Sequence, residues 1–79
     1  MDLYKEELRK ERYEKMYNYL YEFEKKGIPI YVRGYKFPAE ICARILTCHE
    51  DETYMEDRIY RDENLNVIEM LNFDMVVSV

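Results

Sequence analysis

Cys48-His49-Glu50-Asp51 sets four metal-binding or nucleophilic residue types side by side, and nothing else in the 79-residue chain comes as close to a reactive cluster. A tetrahedral zinc site needs four convergent ligands. If these residues continue a helix, Cys48 and His49 diverge by about 100°, and Cys42 lies about two turns from His49. A Cys/His nucleophilic pair meets the same obstacle, because neighbouring side chains point apart and no third group orients the ring. The simpler expectation is that Cys48 packs inward and His49 closes a helix C-terminus, where its positive form is favoured. A small thiol or metal site here therefore ranks behind the readings developed below.

The rest of the inventory is poor in chemistry. One His, one Ser (Ser78), two Thr and two Gly cannot assemble a phosphate-binding loop, a dinucleotide fingerprint or a Ser-His-Asp set. Asp62, Glu63 and Asn64 lack the spacing of a calcium loop. Carboxylates are so abundant that no pair stands out. The expectation is a non-enzymatic protein that carries no cofactor and no metal.

What remains distinctive is charge and tyrosine. The formal net charge is −5. Residues 1 to 27 balance seven acids with seven bases, whereas residues 49 to 75 carry nine acids against Arg58 and Arg61, a net of −7. Glu50, Asp51, Glu52, Glu56, Asp57, Asp62 and Glu63 make the acidic patch expected to meet a partner. Such a patch steers association with a cationic surface, including one that normally holds a phosphate backbone. Direct nucleic-acid binding is excluded by the same balance, since Arg33, Lys36 and Arg44 do not make a basic stripe. Of nine tyrosines, Tyr4, Tyr13, Tyr17, Tyr19 and Tyr21 fall in the first 27 residues. Tyrosine combines a large contact area with a polar tip and is enriched at interfaces. Tyr4, Tyr17 and Tyr21 lie outside the main apolar stripe and are the candidate partner or self interface.

These residues must be carried by a few elements. From Asp2 to Lys26 there is no Gly or Pro, and carboxylates precede cations at helical spacing, as in Glu6/Lys10 and Glu11/Lys15. The pattern predicts one long helix with Asp2 as N-cap and Gly27 as its stop. Its apolar stripe is Tyr13, Met16, Leu20 and Phe23. A strand is expected at Ile30 to Val32, with Arg33-Gly34 either a strand exit or the turn of a hairpin returning through Tyr35 to Phe37. Pro38 starts a second helix whose inner side holds Ile41, Cys42, Ile45, Leu46 and Cys48. Residues 53 to 61 and 66 to 77 form a hairpin turning near Asp62 to Asn66. Its second strand slips out of alternation, which predicts a β-bulge at Met70 or Leu71.

The result is one small α+β domain: a long N-terminal helix over 1–27, then a β-α-β-β unit over 28–79, with a mostly antiparallel sheet of three or four strands covered by helices. Cys42 and Cys48, six apart on a helix, are too far separated for a disulfide. No secretory signal and no apolar run of membrane-spanning length occurs, so the expected setting is cytoplasmic, with no membrane partner. The leading functional expectation is an acidic protein-binding module, in size and charge like the phage and mobile-element antagonists of host machinery, anti-CRISPR proteins among them. The alternative is a homodimeric structural or regulatory subunit pairing through the tyrosine helix.

Overall fold

A computed structural model describes residues 3–49, 51–64 and 67–76. The first helix, α1, runs Leu3–Lys25; Asp2, expected to cap it, lies outside the described residues. Its end is set by Gly27, whose φ of 78° is open to glycine at little cost. The Ile28 N–H donates to the Phe23 carbonyl and the Gly27 N–H to the Glu24 carbonyl, both at 3.0 Å. That pair of bonds is a Schellman motif, and it satisfies carbonyls the helix end would otherwise leave without partners.

The chain then forms β1, Ile30–Val32, and β2, Tyr35–Lys36. Arg33 and Gly34 both adopt positive φ, 54° and 86°. Two consecutive left-handed residues make the tight turn whose twist suits a hairpin, which settles residues 28 to 37 as a hairpin. Tyr31 pairs with Lys36 and Val32 with Tyr35.

The second helix, α2, spans Ala39–Thr47 with Pro38 immediately before it in extended geometry. No side chain within α2 caps its start. Instead the Glu24 carboxylate accepts the Ala39 N–H at 2.6 Å, so α1 caps α2. The inner face of α2 is Ala39, Cys42, Ala43, Leu46 and Thr47. This corrects two expectations: Ile41 is exposed, and Cys48, at the C-cap where the helix has ended, is exposed too. Small residues at 39 and 43 let α2 approach its neighbours closely, and the helix packs chiefly on α1.

The last two strands are β3, Tyr54–Tyr60, and β4, Ile68–Met75. The sheet has four strands in the order β2-β1-β4-β3. It is mixed: both hairpins are antiparallel, but β1 and β4 run parallel, with Ile30 beside Leu71 and Val32 beside Phe73. The bulge is present. Met70 faces Ile59 and Ile68 faces Tyr60, so Glu69 is the extra residue, one position before the expected site. It returns Ile68 to the side of Leu71 and Phe73 and leaves Met70 on the opposite face, so only one of the two residues expected to rejoin the apolar face does so.

Both helices cover one face of this sheet, and the core lies between. Leu20 from α1, Cys42, Ala43 and Leu46 from α2, and Ile30, Val32, Leu71 and Phe73 from the central strands are buried together. Tyr13, Met16, Tyr17 and Phe23 pack against them from α1. The first half of α1, residues 3 to 12, is exposed throughout, and the molecule is accordingly elongated, 49 × 34 × 20 Å. Among the described residues, no helix is long and apolar enough to cross a membrane.

Candidate functional site

The Cys48 cluster does not assemble. Cys48 and His49 are exposed and Glu50 lies outside the described residues, while Cys42 is fully buried. The Cys42 Sγ–H points to the Phe37 carbonyl at 3.4 Å. Burial pushes its thiol up to about 11, with the Glu24 carboxylate adding in the same direction. A thiol so held is a packing group, not a nucleophile. Both cysteines are free, and among the described residues no group of three or more His, Cys, Asp or Glu could hold a metal.

The acidic residues are not one patch. β3 covers about 20 Å, with Asp51 and Glu52 before it and Asp62 and Glu63 after it. Glu52 accepts a hydrogen bond from the Tyr54 hydroxyl at 3.3 Å. Along the strand the pleat sends alternate side chains to opposite faces. Glu56 sits opposite buried Phe73 and turns toward α1, where its carboxylate accepts the Tyr19 hydroxyl. Arg58, two residues on, donates to both Glu56 and Tyr19 at 3.0 Å and lies over the Phe23 ring. This clamp ties α1 to β3. Desolvation raises the Tyr19 phenol, its hydrogen bond to Glu56 adding to the rise; the bonds that Arg58 donates to Tyr19 and Glu56 raise its guanidinium above its usual range. Sequence reasoning counted Glu56 as free charge. The one signal available was its place next to Arg58 in a strand with an outward and an inward parity.

Asp57 goes the other way. It pairs with Asn72 on the face of the sheet that no helix covers. On that face the register groups Met55 beside Asp74, Asp57 beside Asn72, and Ile59 beside Met70, with Tyr31 of β1 next to Asn72. Met55 is 55% and Ile59 40% exposed. Asn72 donates to the Asp74 carboxylate at 2.9 Å, and among the described residues no cation pairs with Asp57 or Asp74. The open face thus carries apolar side chains among unneutralised carboxylates. Asp74 and the exposed apolar residues were missed at the sequence level, where alternation alone does not say which face a helix will cover.

The tyrosines separate as well. Tyr13, Tyr17 and Tyr21 form a ladder at helical spacing, with ring centroids 6.0 and 5.8 Å apart. Tyr17, read from the sequence as lying outside the main stripe, is half-buried against the core. Burial raises its phenol, with Tyr21 and Glu24 adding to the effect. Tyr21 is 41% exposed under the Lys25 ammonium. Tyr4, 66% exposed, sits near the other end of α1, about 25 Å from Tyr21 along the axis. The three do not form one surface.

Comparison with protein-family models, with curated proteins and with solved structures found no match, so the reading of this chain rests on its own geometry.

Proposed function

We propose that the protein is a non-catalytic protein-binding module whose docking surface is the open face of the sheet, and that its partner presents a basic surface. One observation carries this reading: Met55 and Ile59 stand exposed on the same face as Asp57 and Asp74, whose carboxylates form no ion pair among the described residues. Apolar contact supplies affinity when such a face is covered, and the carboxylates select a cationic partner and speed its approach. A groove built to hold a phosphate backbone has the matching charge, and an antagonist of nucleic-acid-handling machinery, of the anti-CRISPR kind, is the form of this proposal that size and charge favour.

The test is capture of partners from the source cell by the wild-type protein and by an Asp57→Lys/Asp74→Lys variant. A basic protein should be retained by the wild type, lost in the variant, and bound more slowly as salt rises. Equal capture by both would refute the assignment of this face. A second reading, a dimer through α1, draws on the exposure of Leu3, Tyr4 and Leu8. Replacing Tyr4 and Leu8 with serine should abolish self-association if that reading holds.

A further inference from the structure

Among the described residues β3 is an outer strand, paired with β4 on one side only. Its backbone phase can be read from its ends. The Val76 N–H donates to the Thr53 carbonyl at 2.7 Å and the Arg61 N–H to the Val67 carbonyl at 2.8 Å. Odd-numbered residues of β3 therefore direct their backbone groups to β4. Tyr54, Glu56, Arg58 and Tyr60 direct theirs to the free edge.

The sequence of this edge reads nearly the same from both ends. Turned antiparallel about Asp57, the strand sets Tyr54 against Tyr60, Met55 against Ile59 and Glu56 against Arg58 of a second copy. Aromatic meets aromatic, aliphatic meets aliphatic, and acid meets base. The phase agrees, because the residues with free backbone groups are the ones that such a ladder requires to exchange hydrogen bonds. Centring one residue away brings Glu56 or Arg58 onto itself and loses the matching. The sole mismatch in the favoured register is at its centre, where Asp57 meets Asp57 in a non-hydrogen-bonded pair with Cα atoms about 4.5 Å apart.

We propose that β3 is an interface for a second copy of this chain, joined antiparallel across a two-fold axis through Asp57 into one eight-stranded sheet, and that Asp57 sets its strength. The helices of both copies then lie on one side of the joined sheet. Isologous pairing of this kind needs one self-complementary surface and no other change. Like charges directly opposite weaken it, so the wild-type dimer is weak and removal of the central charge strengthens it. The proposal concerns the purified chain alone and stands or falls separately from the basic partner.

The experiment is sedimentation velocity on the wild type, Asp57→Asn and Asp57→Lys, each checked for native circular dichroism. Asp57→Asn should dimerise about tenfold more tightly than the wild type. Asp57→Lys should not self-associate, but mixed with the wild type it should form a one-to-one heterodimer, with lysine set against aspartate at the centre. Adding Glu56→Pro to Asp57→Asn removes an outward N–H without touching the ladder to β4 and should return the protein to monomer, whereas Glu56→Gln on the same background, which keeps that N–H and weakens only the clamp to Tyr19 and Arg58, should stay dimeric. Asp57→Asn remaining monomeric at about 1 mM, where association is worth only about 4 kcal/mol, would overturn the proposal. So would failure of the Asp57→Lys and wild-type mixture to pair, or a dimer dissolved by serine at Tyr4 and Leu8 but not by Glu56→Pro.

Discussion

Leu71 and Met70 are adjacent in β4, yet they belong to different problems. Leu71 is fully buried between Ile30 and the helices, while Met70 lies on the open face beside Ile59. The same contrast runs across the whole sheet. The covered face is closed by Leu20, Val32, Phe73 and Cys42, and its polar groups are satisfied: no buried side-chain nitrogen or oxygen among the described residues lacks a partner. The open face mixes Met55 and Ile59 with Asp57 and Asp74, and no described element lies over it. One face accounts for folding, so the composition of the other is free to serve recognition.

Substitutions that respect this contrast should separate stability from binding. The largest effect is expected at the centre of the covered face, where Leu71→Ala leaves a cavity and should lower the free energy of unfolding by about 2–5 kcal/mol in urea titration. Met70→Ala, one residue away, should cost less than half as much, and equal losses would break the distinction between faces.

The high-pH limb tests the covered face through Cys42. Folding raises its thiol from an ordinary value of 9.0 to about 11, and Tyr17, Tyr19 and Tyr54 shift in the same direction. A raised value means that the folded state holds the proton more tightly. The associated stability is complete below pH 9 and is lost as pH rises toward 11. Cys42→Ala should make that decline shallower in thermal melts recorded across this range. In the folded protein, a thiol reagent at neutral pH should modify Cys48 and spare Cys42.

A smaller effect is expected where α1 caps α2. Glu24→Ala removes the acceptor of the Ala39 N–H and should cost about 1 kcal/mol, while Glu24→Gln should recover part of it, as read by denaturant midpoints. The smallest change belongs to the open face. Ile59→Ser should move stability by no more than about 0.5 kcal/mol and yet reduce capture of the basic partner, a result that would sharpen the division between the two faces most directly.

Much of the covered face could be read from the sequence, because it follows local rules. The long helix, its stop at Gly27, the second helix after Pro38 and the bulged hairpin all announce themselves through period and turn chemistry within a few residues. Cys48 was misassigned because the buried arc of α2 is centred on Ala39, Cys42, Ala43 and Leu46, and Cys48, about half a turn from that arc, falls on the outer side with Ile41. Tyr17 was placed outside the core because a helical wheel does not show that α2 widens the buried stripe of α1. The clamp of Tyr19, Glu56 and Arg58 joins residues 37 and 39 apart in sequence, and the parallel pairing of β1 with β4 is equally remote. Neither has a local signature. The division of the acids between two faces follows from those long-range choices, which is why the patch was legible as composition and illegible as geometry.

That remote pairing has a consequence for how the chain is made. Among the described residues β4 is the last strand in sequence, and yet it lies inside the sheet, between β1 and β3. As synthesis proceeds from the N-terminus, β1 emerges long before its parallel neighbour exists and must wait for residues 71 to 73. The helical pair and the first hairpin can gather early, since their contacts are short in sequence, but the sheet cannot close around them until β4 arrives. Without β4, β1 and β3 have no strand between them to pair with. Closure of the described sheet therefore depends on the strand that is made after the other three.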